Sequence, residues 1–140
     1  MPAVVAAAAQ VDAEFVLVRP DERSARSVPG NVRVVDWIPL DEALPASVAL
    51  VHHGGAGSAF GALAAGLPQL ATVGPGTGGT TPSWWPAGRR SGTATRDITA
   101  RALTQLLTDD GLRTAAAQVS REIAAMPPPA DLVARLAALV

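Results

Sequence analysis

The sequence contains no cysteine, no lysine and no long apolar run. Without cysteine the chain can form neither disulfides nor a thiolate metal site, so a reducing cytoplasm is the expected location. The apolar residues 4–9 lack a basic flank and run into Asp12 and Glu14. This segment is too short and too acidic for a signal peptide or a membrane span, and no membrane partner is expected.

The sequence also lacks a strong excess of charge of one sign. The net charge is -1, and the acidic and basic residues do not form long runs of one sign. A nucleic-acid partner is therefore not expected. With 140 residues, 49% of them hydrophobic and 16% charged, the sequence predicts one ordinary domain with an α/β core.

Short apolar segments alternate with helical ones. Residues 2–11 resemble the end of a helix, and residues 15–18 predict a buried strand. Further strands are predicted over 32–37, 48–51 and 70–73; helices over 59–65, 97–107, 110–125 and 131–139; and a helical turn over 41–44, closed by Pro45. Alternation of this kind predicts a Rossmann-like, doubly wound parallel sheet. Its first strand is missing, so residues 1–140 are expected to be one domain that is incomplete at its N-terminus.

A glycine-rich turn follows the third predicted strand, where ligands of such sheets bind. Glycines allow backbone amides to approach a ligand closely, and the start of the next helix carries free N–H groups that favour a phosphate. Ser58 and His53 are able to donate to the same phosphate. The alternative is a simple tight turn in which Ser58 caps the helix.

A metal site is not expected. His52 and His53 are adjacent on a strand, so their side chains point to opposite faces. The chain has no other histidine and no cysteine.

Three segments carry a family resemblance: residues 34–40 read VVDWIPL, residues 49–58 read ALVHHGGAGS, and residues 65–69 read AGLPQ. The tail REIAAMP at 121–127, followed by Pro129, adds to them. Together they resemble the C-terminal half of GT-B glycosyltransferases, of the bacterial type that attaches deoxysugars to macrolides, polyketides and enediynes.

The resemblance implies specific roles. His53 contacts the diphosphate of the donor, and the residues that surround this group are Gly55, Ala56, Gly57 and Ser58. Trp37, Ile38 and Leu40 line a slot for uracil or thymine, although core packing is the alternative for Trp37. The implied ligand is a TDP- or UDP-sugar, and the implied reaction inverts the anomeric centre without a metal or other cofactor.

The sequence also departs from the family. The acceptor-binding domain, with its catalytic histidine, is absent, so the chain alone is expected to be inactive and to need that domain or a partner chain. The missing first strand exposes a strand edge, which favours self-association. Relatives hold the sugar with acidic or amide side chains after the fourth strand, whereas residues 74–91 read GPGTGGTTPSWWPAGRRS and contain no carboxylate.

The segment 74–95 is therefore predicted to be an anomalous Gly/Pro-rich loop. Two explanations remain open. Suppose that the codons from Gly78 to Ser91 end in G or C, except that the Gly78 codon ends in T. Translation of the same bases in the frame that begins at the third position of each codon then gives WDDPVVVAGRAAE. This shifted sequence resembles the loop and helix of the family. A compensated frameshift explains that match, whereas the alternative is a diverged loop in which Trp84 and Trp85 form a local apolar plug.

Two rival functions remain. The first is a noncatalytic nucleotide-binding or partner-interaction module that retains the fold. The second is another GT-B enzyme, such as a sugar-nucleotide epimerase, against which the absence of an acid/base cluster near HHGGAGS argues.

Overall fold

The computed structural model describes residues 2–19, 22–25, 27–72, 88–91 and 99–138. In chain order the elements are α1 (Pro2–Ala8), β1 (Phe15–Val18), α2 (Glu22–Ala25), β2 (Val32–Val35), α3 (Leu40–Ala43), a 3-10 turn (Leu44–Ala46), β3 (Leu50–His52), α4 (Ala56–Ala64), β4 (Gln69–Thr72), β5 (Gly88–Ser91), α5 (Ala100–Thr108), α6 (Asp110–Ala124) and α7 (Pro129–Ala137). Strands that alternate with helices give the predicted α/β class.

The described strands pair in parallel throughout. β1 pairs with β2, and β4 lies between β3 and β5. A doubly wound sheet of the order 3-2-1-4-5-6 places strand 1 between strands 2 and 4. In that order β1 and β2 correspond to strands 2 and 3, and β3, β4 and β5 correspond to strands 4, 5 and 6. Among the described residues, no strand pairs with both β1 and β3, the neighbours that strand 1 has in that order.

The largest core cluster joins helices from both ends of the chain to β4. Its buried members are Ala7, Val11, Leu70, Leu103, Leu106 and Leu112. Helices α5 and α6 begin with side-chain caps, since Thr99 Oγ1 accepts from the Ala102 N–H at 3.2 Å and Asp109 Oδ1 accepts from the Leu112 N–H at 3.1 Å. These caps satisfy backbone donors that a helix leaves free at its start.

Helix α4 ends in a glycine turn that α6 supports. Gly66 has φ +72, a conformation that L side chains rarely adopt. The N–H of Leu67 donates to the carbonyl of Ala62, and the N–H of Gly66 donates to that of Leu63. Both bonds belong to a Schellman motif. Ser120 Oγ on α6 donates to the Ala64 carbonyl at 2.7 Å, which holds the end of α4 in place.

Several sequence predictions need correction. The strand β1 is only half-buried, because its side chains alternate between faces and 55% of Val16 is exposed. Pro45 does not end the turn over 41–44 but lies inside the 3-10 turn. Gly88–Ser91 forms β5 within the predicted loop 74–95, while the rest of that segment lies outside the described residues. Helices α4 and α7 start earlier than predicted.

Candidate functional site

The candidate site is the turn that joins β3 to α4. β3 ends at His52 and α4 begins at Ala56, so three residues make the connection. Gly54 has φ +88, which a residue with a side chain adopts only under strain. The turn therefore lies at the carboxyl end of a parallel strand, in the position that the sequence predicted.

The first turn of α4 presents free backbone donors. The first bond into the helix runs from the Ala59 N–H to the Gly55 carbonyl at 3.0 Å. The N–H groups of Ala56, Gly57 and Ser58 precede this bond, so they have no acceptor within the helix. Ala56 and Gly57 are exposed. These donors and the positive end of the helix dipole suit an anion.

Ser58 does not cap this helix. The N-cap is Gly55, and no side chain accepts a hydrogen bond there. The predicted N-cap role of Ser58 is therefore wrong, while a simple tight turn remains the alternative to a phosphate site. Its hydroxyl, in the first turn of α4, remains available beside the free N–H groups.

His53 lies directly against the backbone of the turn. The side chain is exposed, and a Cβ placed on Gly55 would lie 2.8 Å from His53 Nε2. The imidazole can occupy this position because Gly55 has no side chain. A Cβ on Gly57 would meet nothing within 4 Å, which leaves open space in front of the helix start.

The sequence did not assign a role to His52 or Gln69, and the structure joins them. His52 Nε2 lies 2.9 Å from Gln69 Oε1, and the N–H of Gly54 donates to His52 Nδ1 at 3.0 Å. Both side chains are buried, with 8% of His52 and 1% of Gln69 exposed. A signal was present in the sequence, because both residues belong to the motifs that carry the family resemblance.

Burial keeps His52 neutral. Loss of solvent lowers the pKa of His52 below its ordinary value of 6.5; the hydrogen bond to Gln69 raises this pKa, and the nearby His53 lowers it. The Gly54 N–H acts in the same direction as burial, because it needs a lone pair on Nδ1 that the cation lacks. Both ring nitrogens of the neutral imidazole are therefore engaged in hydrogen bonds, Nδ1 with the Gly54 N–H and Nε2 with Gln69.

The predicted base-binding residues Trp37 and Ile38 lie between β2 and α3, and Leu40 is the first residue of α3. Trp37 is 71% exposed, so the core-packing alternative for this indole is wrong. Ile38 is half-buried. Leu40 belongs to the core cluster around Leu44 and packs beside Gly61 of α4. The segment therefore runs alongside the helix whose first turn carries the free donors.

The described residues offer no alternative metal centre. Within them, no group of three or more His, Cys, Asp or Glu side chains is placed to hold a metal ion.

The helices in the described part of the chain are also too short or too polar to cross a membrane.

A family model and several known proteins match most of this chain. The family model described as "Erythromycin biosynthesis protein CIII-like, C-terminal domain" matches residues 2–80. Elloramycin glycosyltransferase ElmGT of Streptomyces olivaceus is 42% identical over 132 residues, which cover 92% of this chain and 34% of that protein.

Two solved structures share the fold. The glycosyltransferase SnogD from Streptomyces nogalater superposes with a TM-score of 0.83 at 38% identity, over 98% of this chain and 38% of that one. The glycosyltransferase VinC, in complex with dTDP, gives a TM-score of 0.76 at 30% identity, over 96% of this chain and 36% of that one. The chain thus spans about a third of the length of these relatives.

Proposed function

Because this chain belongs to the family of the EryCIII-like C-terminal domain of natural-product glycosyltransferases, we propose that it is the donor-binding half of such an enzyme. The turn between β3 and α4 binds the diphosphate of a TDP- or UDP-sugar. The observation that carries this proposal is the exposed first turn of α4, whose N–H groups at Ala56, Gly57 and Ser58 have no helical acceptor. VinC was solved with dTDP, which favours thymidine diphosphate as the first ligand to test.

The contacts with the diphosphate follow from the geometry of the turn. The three N–H groups donate to phosphate oxygens, and the Ser58 hydroxyl adds a donor from the same helical turn. His53 approaches from the side of Gly55 and donates from its imidazole. No metal is required, because these donors and the helix dipole compensate the negative charge of the departing diphosphate.

The base stacks on Trp37. An indole that is 71% exposed offers a free face to a pyrimidine. Stacking of a base on an aromatic side chain contributes about 1–3 kcal/mol in single-strand binding proteins. Leu40 packs beside α4 at Gly61, which brings the segment of Trp37 and Ile38 alongside α4.

Transfer of the sugar needs parts that the described residues do not supply. A general base must deprotonate the acceptor hydroxyl, and polar side chains must orient the sugar. We propose that an acceptor-binding domain or a partner chain provides the base, and that the strand between β1 and β3 also comes from polypeptide beyond these 140 residues. On this proposal the chain alone transfers no sugar.

A noncatalytic nucleotide-binding module is the second candidate. The family match ends at residue 80, inside the segment 74–91 that has no carboxylate. A chain that lacks side chains for the sugar is expected to bind TDP and a TDP-sugar about equally. Tighter binding of the TDP-sugar would show a working sugar site in this segment and contradict the frameshift explanation.

Calorimetric titration with TDP and UDP tests the diphosphate assignment. Loss of a hydrogen bond to a charged group costs about 1.5–3 kcal/mol, so His53→Ala and Ser58→Ala should each weaken binding at least tenfold. Thr114→Ala, which removes an exposed hydroxyl from α6, is the matched control and should bind like the parent. Equal affinity of the parent and the three variants would contradict the assignment of His53 and Ser58 to the diphosphate.

A further inference from the structure

We propose that His52 is a positioning residue, held by Gln69, that fixes the turn from His53 to Ser58 in the conformation that presents the helix N–H groups. The proposal rests on the proposed function for the meaning of that turn, but it concerns two buried side chains that would not touch the diphosphate. It follows from three hydrogen bonds and from the register of β3 and β4.

The register brings the two side chains to one face of the sheet. Leu50 lies opposite Gln69, and His52 lies opposite Ala71. Residues two apart on a strand point to the same face, so His52 and Gln69 are diagonal neighbours. The small side chain of Ala71 leaves room for the imidazole to reach towards Gln69. Their closest polar atoms, Nε2 and Oε1, are 2.9 Å apart.

The direction of each hydrogen bond is determined by one backbone donor. The Gly54 N–H can only donate, so His52 Nδ1 must carry a lone pair. The proton of the neutral imidazole is then on Nε2, which donates to Gln69 Oε1. The amide nitrogen of Gln69 consequently points away from the ring, and it lies 3.5 Å from the carbonyl oxygen of Ala59 in α4. The hydrogen bonds therefore connect Gly54 in the turn, through His52 of β3 and Gln69 of β4, with Ala59 in the first turn of α4.

This arrangement restrains the turn at both of its ends. Gly54, with φ +88, is the point where the chain reverses out of β3, and His52 holds its N–H inward. Ala59, through its carbonyl, links α4 to Gln69 at the other end. The peptide groups between them then face outward, and these include the free donors of Ala56, Gly57 and Ser58. A buried, satisfied network of this kind favours a single conformation.

Two variants separate this role from simple packing. The Oδ1 of asparagine is as many bonds from Cβ as His52 Nδ1, so His52→Asn keeps an acceptor for Gly54 and loses the contact with Gln69. The amide of glutamine extends as far as Nε2, so His52→Gln keeps a partner for Gln69 and loses the acceptor. Both variants lose ring volume, so a role in packing alone predicts similar losses for the two.

The first readout is TDP affinity by calorimetry, at a temperature where both variants are folded. His52→Asn should bind within about threefold of the parent, while His52→Gln should bind about fivefold more weakly, since the net value of one hydrogen bond is about 1 kcal/mol. Equal affinities of the two variants would overturn the proposal.

The second readout needs neither a ligand nor a variant that folds. Nitrogen NMR of the imidazole in the parent should show Nδ1 without a proton and Nε2 with one, and the Gly54 amide should exchange slowly with solvent. A proton on Nδ1 or fast exchange at Gly54 would overturn the proposal by itself. If the parent failed to bind TDP, the proposed function would fail, while these NMR results would still decide the role of His52.

Discussion

The turn between β3 and α4 and the outer face of β1 differ in how far contacts within the described residues hold or cover them. At the turn, His52 is hydrogen-bonded to both Gln69 and Gly54, and α6 holds the end of α4 through Ser120. On β1, Val16 and Val18 are exposed, and the apolar residues Leu132, Val133 and Leu136 of α7 are exposed as well. The comparison indicates that the proposed donor site is held by contacts within this chain, whereas β1 and α7 present exposed apolar surfaces on which a further domain, a partner chain or a second copy is expected to pack.

The largest effect should come from the core beneath the site. Leu70 on β4 is 2% exposed and belongs to the main cluster. Leu70→Ala should lower the free energy of unfolding by about 2–5 kcal/mol, because it removes buried methyl groups and leaves a cavity. Denaturant unfolding measures this change.

Val16→Thr is the matched control on the exposed face. The two side chains have nearly the same shape and both suit a strand, so the change should stay within about 0.5 kcal/mol. A loss at Val16 as large as that at Leu70 would mean that the outer face of β1 is covered in the isolated chain. The contrast between the two regions would then be wrong.

A smaller effect is expected at the turn itself. A Cβ on Gly54 would meet nothing within 4 Å, so the cost of Gly54→Ala comes only from its φ of +88. Forcing an alanine into this left-handed region should lower the free energy of unfolding by about 1–2 kcal/mol.

Gly57→Ala controls for the added methyl group. Gly57 also has open space around its Cβ direction, but it lies in α4 with an ordinary helical backbone. Alanine there should be neutral or should stabilise the chain by up to about 1 kcal/mol. If Gly54→Ala were also neutral, the turn would not be held in the conformation described.

Much of this architecture was predictable from sequence because its signals are local. The strand over residues 15–18 and the start of α6 at Asp110 were predicted at their observed positions, since apolar runs and caps depend on neighbouring residues. The exposure of Val16 was not, because periodicity does not reveal which neighbouring elements cover a strand. The bond between His52 and Gln69 was also missed, because it joins side chains 17 residues apart through the register of two strands.

The smallest expected effect is a dependence of stability on pH. The pKa of His52 lies below 6.5 in the folded chain, mainly because the ring is buried. The folded state therefore binds fewer protons than the unfolded state, so this contribution is fully present above pH 6.5 and is lost as pH falls through the lower folded value. The parent should lose more stability than His52→Asn between pH 7.5 and pH 5.

The difference between the two proteins isolates His52, because the variant differs from the parent at this residue alone. Guanidinium unfolding at several pH values gives the two profiles. Parallel profiles would indicate that His52 is not buried as a neutral ring.

The central claim is that the first turn of α4 binds a nucleoside diphosphate, and amide NMR during titration with TDP tests it most directly. The account predicts that the largest shifts fall on the N–H groups of Ala56, Gly57 and Ser58, with the indole N–H of Trp37 shifting in the same titration. Shifts confined to other regions, such as α7 or the outer face of β1, or no shifts at millimolar TDP, would contradict it.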